Sequence, residues 1–129
     1  MSDKFTVEII SPNKSILKTE SSEVIIPSYE GEIGILKNHI PLITFLRPGV
    51  IKILNEKDRI FYVEEGTVEF SDNNLLILTS TAKETKDIDK IKINEIIKET
   101  EKKMNIEEIK DKEKYILSYK IDTLKNLIN

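Results

Sequence analysis

Between Tyr29 and Ile53 the chain reads Tyr-Glu-Gly-Glu-Ile-Gly-Ile-Leu-Lys-Asn-His-Ile-Pro-Leu-Ile-Thr-Phe-Leu-Arg-Pro-Gly-Val-Ile-Lys-Ile, and this run limits the possible folds more than any other. It gathers Gly31, Gly34, Gly49, Pro41, Pro48 and His39 among short apolar runs. Gly31 and Gly34 can adopt positive φ, while Pro41 and Pro48 fix φ and remove a backbone donor. Pro48-Gly49 is a turn, because proline presets one central torsion and glycine supplies the other. Phe45 and Leu46 should therefore end one strand and Val50 begin the next.

The flanking sequence carries the same period. Phe5, Val7 and Ile9 alternate with Thr6 and Glu8 as in a half-buried strand, and Ser11-Pro12-Asn13 stops it. Ile16-Leu17 and Val24-Ile25-Ile26 predict two short strands around Thr19 to Ser22, with Pro27 at an edge or an end. Ile51 to Leu54 and Ile60 to Val63 flank the polar loop Asn55-Glu56-Lys57-Asp58, which predicts an antiparallel hairpin. Val68 and Phe70 alternate with polar residues, and Asp72-Asn73-Asn74 turns the chain into Leu75 to Leu78. Many short strands at this spacing predict a β-sandwich or flattened antiparallel barrel.

After Ala82 the composition shifts, and residues 87–129 contain no proline or glycine. The boundary is expected near Lys83 to Lys86, giving a β-sandwich over 1–86 and a helical part over 87–129. Ile93, Ile96, Ile97 and Met104 recur at helical spacing behind Ile88, with Asp87 as the expected cap. Asn105 and Glu108 form a capping-box-like pair ahead of a second stripe, Ile109, Ile116, Leu117, Ile121, Leu124 and Ile128. Two such helices with almost no linker predict an antiparallel hairpin. Isolated helices of this length are marginal in water, so the hairpin must pack on itself and against the sandwich or another protein.

Composition narrows the function. There is no cysteine, which excludes disulfides, thiol nucleophiles and thiolate metal sites. A net charge of −3 and a pI near 5.3 argue against nucleic acid as the main partner. The basic residues are lysines apart from Arg47 and Arg59, and they interleave with glutamates as on a solvated face. No stretch has the length of a transmembrane helix, and the start lacks an apolar signal core, so a place in the cytoplasm or on its membrane face is expected. His39 has no second ligand for a metal and no serine elbow nearby. The four glycines do not stand at the Gly-x-x-x-x-Gly-Lys spacing of a phosphate loop, and Glu30 with Glu32 on a turn implies no acid–base cleft. No catalytic residue, metal or cofactor is expected.

The pattern Glu-Gly-Glu-Ile-Gly-Ile, then Asn-His-Ile-Pro-Leu-Ile-Thr, then Arg-Pro-Gly-Val-Ile-Lys-Ile resembles the epsilon subunit of bacterial F-type rotary ATP synthases. The resemblance extends from Val7-Glu8-Ile9-Ile10-Ser11-Pro12 through Val63-Glu64-Glu65-Gly66 to Thr79-Ser80-Thr81-Ala82, and loosens beyond. It implies a non-catalytic rotor subunit that links the gamma subunit to the c-ring, with C-terminal helices that restrain ATP hydrolysis in the alpha/beta head. By resemblance Glu30, Gly31 and Glu32 meet the c-ring, while Ser11, His39 and Thr44 face gamma. Some relatives hold ATP through Ile-Asp-x-x-Arg-Ala. Here the run is Ile88-Asp89-Lys90-Ile91-Lys92-Ile93, so Lys92 lacks arginine's fork and isoleucine replaces the small residue. Weak or absent ATP binding follows. Lys102, Lys103, Lys110, Lys112 and Lys114 are the hairpin cations that could meet acidic loops of the beta subunits. The competing class is a free-standing sandwich that binds a small molecule or peptide and carries a helical oligomerisation tail. The ordered set of turn motifs separates the two, because a free module has no reason to combine them.

Overall fold

The structure, a computed structural model, describes residues 3–106 and 108–128. Strands β1 Phe5–Ile10, β2 Ser15–Ser21, β3 Glu23–Ser28, β4 Gly31–Leu36, β5 Leu42–Leu46, β6 Gly49–Leu54, β7 Arg59–Val63, β8 Gly66–Ser71, β9 Asn74–Leu78 and β10 Lys83–Glu84 form one curled sheet. Its order is β10-β7-β6-β3-β5-β8-β9-β1-β2, with β4 on the other edge of β3. β3 and β5 meet only where Ser28 pairs with Leu46. The sheet folds at that corner into two layers, β10-β7-β6-β3-β4 and β5-β8-β9-β1-β2.

The core lies between the layers. Val24, Ile26, Ile35, Ile51, Ile53, Phe61 and Val63 from one layer meet Leu46, Val68, Phe70, Leu75, Ile77, Val7 and Ile9 from the other, all buried. Period 2 along each strand puts these residues on one face and their neighbours on the opposite face. The Pro48-Gly49 turn is sterically specified, since a Cβ on Gly49 would stand 2.5 Å from Pro27 Cβ. Gly66 has φ of +155°, and a Cβ there would strike the Leu78 carbonyl oxygen at 2.5 Å. Both close strand corners at one end of the sandwich.

The helices are α1 Lys90–Met104 and α2 Asp111–Ile128. Asp87 does not cap α1, because it is drawn into a single 3-10 turn, Thr85–Asp87. Asp89 is the cap, with extended backbone and its Oδ1 accepting from Ile91 N at 3.0 Å. Asn105 does not open the second helix but closes the first, its N–H reaching the carbonyls of Lys102 and Lys103. Turns at Ile106 and Ile109 then carry the chain to Asp111. Ile93, Ile97, Leu124 and Tyr62 form a second, smaller buried cluster, flanked by Ile88, Ile96, Leu127 and Ile128. The hairpin thus lies on the outer face of the β6–β7 layer.

Candidate docking surfaces

Alternation gives each layer an outer face, and the two faces differ. On the β6–β7 face Val50 pairs with Tyr62 and Lys52 with Ile60. The hairpin lies over them and leaves Tyr62 only 6% exposed. Among the described residues the outer face of β5-β8-β9-β1 has no such cover. Register aligns Phe45, Thr67, Leu78 and Ile10 in one row and Ile43, Glu69, Leu76 and Glu8 in the next. Ile43 is 76% exposed, Phe45 61% and Leu78 45%. Large apolar side chains contiguous on a sheet face mark an interaction site rather than scattered surface.

The family-matched positions fall around this bare face. Thr44 is turned into the core and is 6% exposed, so the outer surface of β5 belongs to Ile43 and Phe45. Ser11 closes the β1–β2 turn, its hydroxyl donating to Lys14 O at 3.1 Å. His39 sits at the opposite end of the layer, its ring nearly perpendicular to that of Phe70 with centroids 5.8 Å apart and its Nδ1 2.7 Å from Ile40 O. Asn38 and Asn73, both at positive φ, brace that end through Asn38 N donating to Asn73 Oδ1 at 2.6 Å and Asn73 Nδ2 donating to Asn38 Oδ1 at 3.1 Å. Ser11 and His39 therefore do not touch. They bracket the face on which Phe45, Leu78 and Ile43 stand.

Glu30, Gly31 and Glu32 form the β3–β4 corner at the Ser11 end. Gly31 has φ of +119°, a conformation that favours glycine, and nothing would crowd a Cβ there. Buried Ser28 fixes the corner: its hydroxyl donates to Gly31 O at 2.7 Å and accepts from Glu30 N at 3.2 Å. Glu30 and Glu32 are exposed and make no ion pair among the described residues. The corner offers two free carboxylates on a stiff turn.

Ile88 and Lys92 line a cleft of about 270 Å³ with Tyr62, Glu64, Thr81, Lys83, Ile96 and Leu124. Asp89 is engaged as the cap, and Ile93 is 2% exposed, packed in the small cluster. Glu64 already binds Lys120 at 2.7 Å and accepts from Tyr62 Oη at 3.0 Å. Burial first, and Glu64 second, push the Tyr62 phenol well above its ordinary range, so it remains a donor. Lys102 and Lys103 end α1, where cations complement the helix dipole. Lys110, Lys112 and Lys114 surround the start of α2, where cations oppose it and Asp111 and Glu113 compensate. All five lysines are exposed at the tip of the hairpin.

Arg59 holds the junction, its Nη2 2.7 Å and its Nε 3.1 Å from the two oxygens of Glu84. That hydrogen bond is the main cause holding the Glu84 carboxyl below its ordinary range, against a smaller effect of desolvation. Sequence reasoning missed Ile43, Phe45 and Leu78, although Leu-Ile-Thr-Phe-Leu, apolar on both parities, signalled a strand with two apolar faces. Among the described residues no group of three His, Asp or Glu could hold a metal, and no helix is long and apolar enough to cross a membrane.

A family model described as ATP synthase, Delta/Epsilon chain, beta-sandwich domain matches residues 4–85. An ATP synthase epsilon chain of Pelagibacter ubique is 48% identical over 129 residues, spanning 98% of this chain and 99% of its own length. One of Dichelobacter nodosus is 33% identical over 88% of this chain and 86% of its own. A chain in the Euglena gracilis mitochondrial ATP synthase, an OSCP/F1/c-ring structure, shares the fold with a TM-score of 0.82 at 19% identity, over 100% of this chain and 84% of that one. A chain in the central stalk and c-ring of the Tetrahymena thermophila mitochondrial enzyme gives 0.63 at 14%, over 96% of each. With its sandwich matched throughout and a full-length relative at nearly half identity, this chain belongs to the ATP synthase epsilon-chain family.

Proposed function

We propose that the chain is a non-catalytic rotor subunit of a bacterial F-type ATP synthase, held on the cytoplasmic face of the membrane through the complex alone. The bare outer face carries this reading. Ile43, Phe45 and Leu78, bracketed by Ser11 and His39, are the surface on which gamma docks. Each large apolar side chain fully buried on docking contributes up to about 1.5–3 kcal/mol toward holding the partner. The stiff Glu30-Gly31-Glu32 corner meets the polar loops of the c-ring, where two unpaired carboxylates find basic and amide partners. The coupling ion, proton or sodium, is chosen by the ring.

The hairpin of residues 87–129 is the regulatory part. Its buried apolar contact with the sandwich is confined to one small cluster, and its lysines stand clear at the tip, free for acidic loops of the catalytic head. A switch from mostly folded to mostly extended needs about 5.5 kcal/mol of bias from the complex. Truncation after Lys86 should raise ATP hydrolysis by the assembled enzyme and leave assembly and ion coupling intact. Unchanged hydrolysis would reduce the hairpin to a passive lid. ATP binding is weak or absent, because Asp89 is engaged in capping, Ile93 fills the space beside Tyr62, and Glu64 faces any phosphate entering the cleft. Calorimetry of the purified subunit should show no saturation at micromolar ATP.

A further inference from the structure

The hairpin's attachment is unusual in how little apolar surface carries it. From the sheet, Tyr62 alone contributes a buried side chain to the cluster with Ile93, Ile97 and Leu124. Polar contacts flank that cluster, two of them made by consecutive residues of α2 and a third by Thr123, whose Oγ1 reaches Pro48 O at 3.5 Å. Tyr119 receives the Arg47 guanidinium over its ring at 4.1 Å. Lys120 reaches Glu64 at 2.7 Å.

Both sheet partners stand on corners at the same end of the sandwich. Arg47 lies on the β5–β6 turn, where its Nη1 donates to Pro48 O at 3.0 Å and no carboxylate pairs with it among the described residues. Glu64 lies on the β7–β8 turn, whose backbone is fixed by Thr81 Oγ1 accepting from Glu64 N at 3.0 Å and by Thr79 Oγ1 donating to Glu65 O at 2.5 Å. Gly49 pairs with Val63, which sets the two corners side by side beneath α2. Neighbouring side chains on a helix point about 100° apart, so one short segment grips both corners across Leu124. The Tyr62 hydroxyl donates to the same Glu64 oxygen that Lys120 meets, which orients the carboxylate from below.

We propose that Arg47 and Glu64 form a charged clasp on Tyr119 and Lys120 that sets how readily α2 leaves the sandwich. The inference rests on the reading of the hairpin as a mobile regulator, and names the contacts that hold it folded. Lys120 keeps 20% side-chain exposure and Glu64 34%, so salt can weaken the pair, whereas the apolar cluster beneath is indifferent to screening. The folded hairpin is then a state whose population responds to ionic strength and to competing charge.

Amide hydrogen exchange on the full-length subunit tests this directly. Lys120→Met, Glu64→Gln, Arg47→Met and Tyr119→Leu should each speed exchange in α2 by about two- to fivefold, with β1 and β9 amides unchanged. The double variant Glu64→Gln with Lys120→Met should exchange no faster than its faster single, since both remove one interaction. Raising salt from about 0.05 M to about 0.5 M should speed α2 in the wild type and leave the double variant unmoved. Unchanged α2 exchange in the single variants, or fully multiplicative effects in the double, would overturn the clasp. Faster α2 exchange with unaltered hydrolysis by the assembled enzyme would uphold the clasp and remove the brake.

Discussion

The two outer faces of the sandwich present the same problem with different solutions. Alternation along β6 and β7 turns Val50, Ile60 and Tyr62 outward, and alternation along β5 and β9 does the same for Ile43, Phe45, Leu76 and Leu78. The first set is covered by the chain's own helices. The second is left to solvent, with Ile43 at 76% and Phe45 at 61% exposure. A sheet face with this much exposed aliphatic and aromatic surface is unfavourable for an isolated subunit and favourable for one assembled on a partner. On the proposed reading the fold divides its adhesive surface into one part satisfied within the chain, and so open to competition, and one part reserved for a permanent neighbour.

Charging the bare face should have the largest effect. Ile43→Asp with Phe45→Asp should lower affinity for the gamma subunit by at least about a hundredfold, as for central apolar anchors. The urea midpoint of the free subunit should barely move, since both side chains are exposed. Titration calorimetry beside equilibrium unfolding checks both halves. Leu124→Ala probes the covered face instead. With Leu124 1% exposed, truncation should weaken the hairpin contact by about 2–5 kcal/mol, seen as loss of helix protection, while gamma affinity holds.

Smaller effects sharpen the picture at the edges. Glu30→Lys with Glu32→Lys should weaken attachment to the c-ring by about 1 kcal/mol at low salt, and the difference should vanish as salt is raised. Co-purification at two ionic strengths reads it. The Arg59–Glu84 bond gives a pH signature at the junction. Its folded carboxyl titrates below the ordinary value of about 4.3, so its stabilisation is present above that value and is lost as pH falls through the lowered one. Glu84→Gln should flatten the fall of the unfolding midpoint as pH drops below the ordinary carboxylate value of about 4.3.

What the sequence disclosed, and what it hid, follows the range of the forces. β1 was legible residue by residue because its alternation is local, and the Pro48-Gly49 corner from its Pro-Gly pair, although Gly49 is required there by its close approach to Pro27 and not, as expected, by a positive-φ turn torsion. β2 extends through Thr19 to Ser21, beyond the expected break, because those residues pair with Val7 to Phe5 and a distant ladder outweighs their weak local preference. β10 exists for the same reason, pairing Lys83 and Glu84 with Tyr62 and Phe61. Thr44 was legible as part of a family motif, but which way it points was not. Leu42 to Leu46 is apolar on both parities, and only register decides which parity faces the core. The clasp was invisible for a related reason, since Arg47 and Tyr119 meet only through the tertiary fold.

On the proposed reading one outer face is closed within the chain and the other awaits a partner. Hydroxyl-radical footprinting of the free subunit and of the assembled enzyme tests it in a single comparison. Phe45, Ile43 and Leu78 should be strongly labelled in the free subunit and lose that labelling on assembly, while Val50 and Ile60 do not become more protected. Equal labelling of Phe45 and Leu78 in both states would contradict the account.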